Sequence, residues 1–296
     1  MIRRLYDQPW LLLTLCALFW AGNAVASRLA VGEIEPFMLV LLRWLAVALA
    51  MWLLFGDEVR THWNVLRPRL PWLIVVATTG FTAFNALFYI AGHSTTALNI
   101  GILQGAMPVM VLIGTFIAYR DPVSVIQVVG VGLTLLGVVL IASKGDLDVL
   151  LGLEVSTGDA LMLIAGACYS FYTVMLRKRP SMPGRAFFTA TAIVALASSF
   201  PLAAMEAAVR GFTWPTMTGW LITIYVAVFP SCLSQLFFLR GVDLIGPARA
   251  GVYINLVPVF ASLLAVSILG EAFEMFHAAA LVLVLGGIWL AQRKPG

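Results

Sequence analysis

The sequence predicts an all-α membrane protein with ten transmembrane helices, built from two inverted five-helix repeats, with the N- and C-termini cytoplasmic. Of its 296 residues, 61% are hydrophobic and 11% are charged, whereas soluble domains carry about 25% charged residues. The mean hydropathy is +0.99. Ten apolar stretches have about the 20 residues that a helix needs to cross the hydrocarbon core. Landmark residues of the first half recur about 150 residues later.

The repeat rests on residues of special backbone or charge character. A shift of 150 superposes these pairs: Gly101 and Gly251, Pro108 and Pro258, Asp121 and Glu271, Gly137 and Gly287, Lys144 and Lys294. Five spans are an odd number, so a second copy enters the membrane from the opposite side, which is the usual plan of a secondary transporter. We predict a first repeat over 1–145, a linker over 146–156 and a second repeat over 157–296.

The predicted spans are helices, because lipid offers the backbone no hydrogen-bonding partner. They cover 10–31, 36–55, 71–92, 95–119, 123–143, 157–178, 185–206, 216–239, 247–270 and 274–292. The first resembles a signal peptide, with Arg3 and Arg4 before an apolar run and Ala24-Val25-Ala26 after it. It is longer than a signal core and has a repeat partner at 157–178, so we interpret it as a span.

Lysine and arginine set the orientation, since they concentrate in cytoplasmic segments. With a cytoplasmic N-terminus, 14 of the 18 basic residues lie inside: Arg3, Arg4, Arg60, Arg67, Arg69, Arg120, Arg177, Lys178, Arg179, Arg185, Arg240, Arg249, Arg293 and Lys294. The outer loops are acidic: Glu33, Glu35, Asp146, Asp148, Glu154, Glu271 and Glu274. The longest loops are predicted at 57–70 and 144–156.

Uncharged polar and aromatic residues inside the spans predict a lined cavity. They are Trp20, Asn23, Asn85, Tyr89, His93, Asn99, Gln104, Tyr169, Tyr172, Ser231, Gln235, Tyr253 and Asn255. Amides are costly against lipid and turn toward the bundle interior. Taken singly, each is better explained by an interhelical hydrogen bond or an interfacial aromatic position, and His93 near a span end fits a structural role; the set as a whole favours a cavity. Pro108 and Pro258 predict matched helix kinks beside it.

Arg43 is the one basic residue deep within a span. It can extend to the outer face, or it can act as a gate or as the partner of a substrate carboxylate; the sequence leaves both open. No Asp or Glu lies mid-span, since Asp159 and Glu206 fall near span ends. That absence points toward a neutral, zwitterionic or anionic solute rather than a cation.

The sequence lacks the motifs that are typical of enzymes, metal sites and nucleic-acid-binding proteins. Cys16, Cys168 and Cys232 lie in apolar runs without metal-ligand spacing, which predicts packing residues rather than a disulfide, a metal site or redox chemistry. No serine-hydrolase elbow, zinc-protease motif or phosphate-binding loop occurs, so we predict no enzyme and no cofactor. The net charge of +4 reflects residues flanking spans, so no nucleic-acid partner is predicted.

Several segments resemble a known pattern: Phe19-Trp20-Ala21-Gly22-Asn23, the run from Gly101 through Pro108, Leu256-Val257-Pro258-Val259 and Leu269-Gly270-Glu271. The glycine-rich fifth and tenth spans belong to the same pattern. It is that of the ten-helix branch of the drug/metabolite transporter superfamily, with paired EamA-type domains. Within it, the chain looks closest to bacterial inner-membrane exporters of aromatic and other amino acids.

The resemblance implies a basket-like bundle with a central cavity lined by spans one, three, four, six, eight and nine, and export of amino acids by alternating access. The first span has no acid, so the proton-for-cation exchange of small four-helix relatives is not carried over. The expected partners are a neutral or zwitterionic small molecule and membrane lipid, with a monomer favoured over an obligate dimer. A transporter of nucleotide sugars or phosphorylated metabolites is the alternative; an intramembrane enzyme or a structural subunit fits less well.

Overall fold

A computed structural model describes residues 7–146 and 156–293. Within that part of the chain every regular element is a helix, and the predicted all-helical membrane architecture is confirmed at that level. Arg3, Arg4, Asp148, Glu154, Lys294 and most of the predicted linker over 146–156 lie outside the described residues.

Within residues 7–146 and 156–293, ten helical segments, α1 to α10, follow the ten predicted spans. They are α1 Pro9–Leu29, α2 Pro36–Thr61, α3 Trp63–Ala91, α4 Ala97–Tyr119, α5 Val125–Ala142, α6 Thr157–Lys178, α7 Gly184–Arg210, α8 Met217–Ile245, α9 Pro247–Leu269 and α10 Met275–Ala291. Among the described residues, nine are long and apolar enough to span a membrane, and α10 is apolar but has 17 residues.

Local sequence signals set many helix ends. Pro9 and Pro36 begin α1 and α2, where proline loses no helical hydrogen bond. The side chain of Thr96 accepts a hydrogen bond from the Asn99 N–H at 3.1 Å, which caps α4. Two matched helix ends, Arg120 after α4 and Gly270 after α9, adopt the left-handed conformation with φ of 56° and 66°.

The predicted loop over 57–70 is wrong, because it is almost entirely helical. Helix α2 continues to Thr61, and α3 begins at Trp63. Neither Gly nor Pro interrupts residues 57–66, and a helix satisfies its own backbone in water as well as in lipid. Hydropathy marks where the lipid ends, whereas the helix ends only where the backbone is interrupted.

Helices α3, α4, α8 and α9 are irregular in their middle parts, and these irregularities occur in matched pairs. Helix α3 contains a π-helical segment at Thr78–Ala83 and α8 one at Ala227–Leu233. Helix α4 is broken between Gln104 and Met107, and α9 tightens to a 3₁₀ turn at Tyr253–Asn255. Such segments free backbone groups and often mark functional positions. Both pairs follow the spacing of about 150 residues.

The two halves pack into each other. Helix α2 packs against α7, and α5 against α10; α1 lies against α8 and α9, and α6 against α3 and α4. Suppose that each helix is replaced by its counterpart in the other half. The contacts of α1 with α8 and α9 then become those of α6 with α3 and α4, and the pairs α2–α7 and α5–α10 are unchanged. The core is therefore shared between the halves.

The charged side chains separate into two groups at opposite ends of the bundle. We call one the basic end, with ion pairs of Arg177 with Asp121 at 2.8 Å and Arg185 with Glu58 at 2.7 Å. The other, the acidic end, joins Glu35 to Arg210 at 3.1 Å and contains Glu271.

Candidate functional site

A cavity of about 310 Å³ lies between the helices, within the size range of small-molecule sites. Ten of the residues singled out from the sequence line it: Trp20, Asn23, Arg43, Asn85, Gln104, Pro108, Tyr169, Ser231, Gln235 and Asn255. The lining comes from the six helices implied by the resemblance and also from α2 and α10. Helix α10 contributes Ile288, and Gln292 directly after it also lines the cavity.

Arg43 lies in the wall of this cavity and is 5% exposed. Its Nε donates to Ser231 Oγ at 2.7 Å, and its Nη1 donates to Asn85 Oδ1 and to the Tyr89 hydroxyl, both at 2.6 Å. Helices α2, α3 and α8 thus fix the guanidinium. All three acceptors are neutral.

Helix α1 is tied to the same network. The Tyr89 hydroxyl donates to Asn23 Oδ1 at 2.9 Å, so it links Arg43 to α1. The Trp20 indole Nε1 donates to the Pro230 carbonyl at 3.1 Å, within the π-helical segment of α8. The irregular backbone of α8 therefore positions Trp20, a residue of the cavity wall.

Aromatic rings form another part of the wall. Tyr169 packs on Phe84 with ring centroids 5.2 Å apart, and Phe81 packs on Trp44 at 4.9 Å. All four rings line the cavity. They give it apolar surface suited to a hydrophobic side chain.

The remaining predicted site residues lie outside the lining. Tyr89 and Tyr172 are buried behind it, on Arg43 and Phe81 respectively. Asn99 bonds to Asp159 at 3.3 Å near the acidic end, and Asp159 also accepts from the Thr95 hydroxyl. His93 lies in the turn after α3, and Tyr253 is in the 3₁₀ turn of α9.

The two prolines start new helical segments. Pro108 is the second residue of Met107–Tyr119, just after the break in α4, and Pro258 is the third residue of Leu256–Leu269, just after the 3₁₀ turn. Pro108 lines the cavity and Pro258 is buried.

Helices α4 and α9 meet tightly on the side of the acidic end. A Cβ added to Gly101 would lie 2.2 Å from the Ala261 Cβ, so the two helices touch there. The repeat partners of these residues are Gly251 and Val111, and they are apart: a Cβ on Gly251 would meet nothing within 4 Å, and both residues line the cavity. Helices α4 and α9 are therefore in contact toward the acidic end and separated toward the basic end.

The matched acids Glu271 and Asp121 show the same asymmetry. Glu271 Oε1 accepts from the Ala97 N–H at 2.9 Å, and its Oε2 accepts from the Leu98 N–H at 2.8 Å. This carboxylate therefore caps α4 from the loop after α9, a stabilising position for an anion. We call this contact the Glu271 clasp. Asp121 instead pairs with Arg177 of α6.

Sequence reasoning missed much of the apolar lining. Trp44, Phe81, Phe84, Met107, Val111 and Ile254 line the cavity, but an apolar residue in a uniformly apolar helix carries no signal of the face it occupies. Trp44 follows Arg43 directly, but neighbouring residues on a helix do not share a face, so this position carried no signal either. The clasp was also missed, although the match between Asp121 and Glu271 marked both acids.

Burial in the turn after α3 acts on the pKa of the His93 imidazole. Partial burial is the main cause that lowers its pKa below the usual 6.5; Glu35 opposes this, and Arg210 and Arg28 add to it. Because the folded state disfavours the proton, acidification below that range costs stability. We expect His93→Gln to leave the pH profile of transport unchanged between pH 7 and 8. A profile measured by counterflow that flattens in this variant would contradict the assignment.

Among the described residues, no group of three His, Cys, Asp or Glu side chains is placed to hold a metal ion. Cys16, Cys168 and Cys232 are free thiols.

A comparison with protein families gives two matches along the chain, at residues 8–143 and 156–292, both to the EamA-like transporter family. The chain belongs to the EamA-like transporter family. The resemblance noted in its sequence to the drug/metabolite transporter superfamily is thereby confirmed.

Similar EamA-family proteins cover almost the whole chain. The "Uncharacterized transporter YyaM" of Bacillus subtilis (strain 168) is 23% identical over 93% of this chain and 90% of its own. An "Uncharacterized transporter" of Archaeoglobus fulgidus is 29% identical over 96% and 97%. The "Uncharacterized inner membrane transporter YedA" of Escherichia coli (strain K12) is 24% identical over 94% and 90%.

A solved crystal structure shares the fold, with a TM-score of 0.64 at 19% identity over 95% of both chains. Together with the apolar helices, these EamA-family relatives identify a membrane transporter that crosses the bacterial inner membrane several times.

Proposed function

We propose that this EamA-family transporter exports amino acids, aromatic and other neutral ones, and similar small metabolites by alternating access through the central cavity. The observation that carries the proposal is a cavity with one buried cation, Arg43, neutral amides and a wall of aromatic rings. A carboxylate fits the guanidinium, and an apolar side chain fits the rings.

The five helices of each half form one of two inverted repeats in this proposal, over 1–145 and 157–296, with the termini in the cytoplasm. The exchanged packing of the helices and the matched irregularities of α3 with α8 and α4 with α9 support the repeat. The basic end then faces the cytoplasm, in accordance with the positive-inside rule.

The cavity is open toward the cytoplasm in this arrangement. Asn255 and Gln292 line it, and they bond to each other at 3.2 Å in an exposed position beside Arg293 at the basic end. The acidic end is closed by the Gly101–Ala261 contact and by the Glu271 clasp. Transport proceeds when α4 and α9 separate toward the acidic end and meet toward the basic end. Inverted repeats make these two arrangements similar to each other.

Counterflow in proteoliposomes tests the transport step. Vesicles loaded with unlabelled phenylalanine or threonine should accumulate the labelled amino acid well above empty vesicles. Absence of uptake across a panel of neutral amino acids would remove the amino-acid assignment. Export is tested by growth: overexpression should give resistance to toxic amino-acid analogues, and sensitisation would indicate uptake instead.

Phosphorylated substrates fit the cavity less well. A phosphate or a nucleotide sugar calls for several basic groups, and Arg43 is the one basic side chain among the described lining residues.

A further inference from the structure

The charge on Arg43 has no counter-ion among the described residues. Its acceptors, Ser231, Asn85 and Tyr89, are neutral, and no described carboxylate lies within 4.0 Å of it. A buried guanidinium is costly without an anion. The counter-ion of Arg43 is therefore expected to be a ligand bound in the cavity.

The acids nearest to the membrane interior are engaged elsewhere. Asp159 accepts hydrogen bonds from Thr95 and Asn99. Glu206 accepts from the backbone N–H groups of Phe37 and Met38 at 3.1 and 3.0 Å. Neither lines the cavity, and no described lining residue is an acid. The cavity thus has a site for an anion and no carboxylate for an ammonium group.

Further hydrogen-bond donors in the wall lack acceptors. The indole Nε1 of Trp44 and the Nε2 of Gln104 are buried without a partner in the described structure, and both residues line the cavity. Arg43 Nη2 likewise has no acceptor among the described residues, whereas Nε and Nη1 are used. Arginine and tryptophan side chains can only donate. The two nitrogens of Trp44 and Gln104 are covered by neighbouring atoms, so Arg43 is the donor of this wall that a carboxylate in the cavity can use.

We propose that the cavity binds an organic monocarboxylate, with its carboxylate on Arg43 and its apolar body on the aromatic wall. The proposal rests on the transport function above and, among the small metabolites named there, places 2-oxo and 2-hydroxy acids ahead of the amino acids. A 2-oxo or 2-hydroxy acid satisfies these groups, whereas the ammonium of an amino acid finds ring faces and amide oxygens instead of a carboxylate.

Matched compounds test this in proteoliposomes. Labelled phenylalanine and labelled 3-phenyllactate are each offered for counterflow, and phenylpyruvate and phenethylamine are added as competitors, with leucine and 2-hydroxyisocaproate as a second pair. We expect the hydroxy and oxo acids to compete at concentrations at least tenfold lower than the matched amino acids. Phenethylamine, which lacks the carboxylate, should not compete.

Variants of Arg43 give the second readout. Arg43→Lys keeps the charge and should retain the preference for the acids. Arg43→Gln should reduce the ratio of the affinity for 3-phenyllactate to the affinity for phenethylamine at least tenfold. The affinities are measured as ligand-induced thermal shifts on detergent-solubilised protein, so that binding is read without transport. A variant that does not fold is recognised by its own melting curve, and the competition experiment on the wild-type protein then decides the proposal.

The outcomes separate the two proposals. Competition by phenethylamine as strong as by phenyllactate, or tighter binding of the amino acids than of the acids, overturns the monocarboxylate assignment and leaves amino-acid transport standing. Uptake of phenyllactate without uptake of phenylalanine supports the assignment and removes the amino acid as substrate. Uptake of neither, in either pair, removes the proposed transport of both classes.

Discussion

Gly287→Val should abolish correct folding or lower the melting temperature in detergent by about 10 °C, since about 3 kcal/mol of overpacking is expected and each kcal/mol shifts the midpoint by about 2–4 °C. A Cβ at Gly287 would lie 2.3 Å from Thr134 Oγ1 and 2.5 Å from the Gly130 carbonyl oxygen. Backbone lies against backbone here, so α5 and α10 can accept a side chain only by separating.

Neighbouring glycines provide the controls. At Gly286 and at Gly132 an added Cβ would meet nothing within 4 Å. Gly286→Ala and Gly132→Ala should therefore leave the melting temperature unchanged or raise it slightly, because alanine favours a helix by up to about 1 kcal/mol over glycine. A wild-type melting curve for Gly287→Val would show that α5 and α10 do not meet at this point.

The second large effect is expected at the Glu271 clasp. Glu271→Ala removes two charge-assisted hydrogen bonds, to the N–H groups of Ala97 and Leu98. Their combined loss at a partly exposed site costs about 2 kcal/mol, which shifts an open–closed equilibrium about 30-fold, since 1.4 kcal/mol is a factor of ten. The acidic end should open more often as a result.

Cysteine labelling measures this opening. Ser262 is 5% exposed and follows Ala261, which touches Gly101. In a background without native cysteines, Ser262→Cys should react with an externally added impermeant maleimide at least tenfold faster when Glu271→Ala is present. Equal labelling rates with and without Glu271→Ala would contradict a closing role for the clasp.

Two other acids sharpen the experiment. Glu274 is exposed at the start of α10, three residues beyond Glu271, and Glu274→Ala should leave the labelling rate unchanged. Asp121 is the repeat partner of Glu271 at the basic end. If it caps α9 in the opposite state as Glu271 caps α4 here, Asp121→Ala should disfavour that state and slow the labelling of Ser262→Cys.

Residues of the candidate site could be predicted from the sequence where a polar residue interrupts an apolar helix. Asn23, Asn85, Gln104 and Gln235 reach the cavity, because an amide in an apolar helix must turn away from lipid. Asn99 shows the limit of that rule: it is equally polar, but it bonds to Asp159. Burial alone does not specify which partner a polar side chain finds.

Other features depend on atoms distant in the sequence. Arg43 meets Ser231 across 188 positions of the chain, and its spacing in α2 leaves both a surface and an interior position open. Trp44 and Phe81 join the wall only because α2 and α3 turn those faces inward. The loop predicted at 57–70 failed for a different reason, since hydropathy reports the lipid boundary and not the helix end.

The sequence by itself determined ten apolar helices, the approximate 150-residue period and the separation of basic from acidic ends, because hydropathy, backbone-breaking residues and charge are local properties. Only the tertiary structure decided which end is closed. Gly101 with Gly251 and Glu271 with Asp121 are near equivalents in sequence, yet one member of each pair is engaged between α4 and α9 and the other is not. Two similar halves can be packed with either end closed, and this choice is a property of the packing and not of any segment.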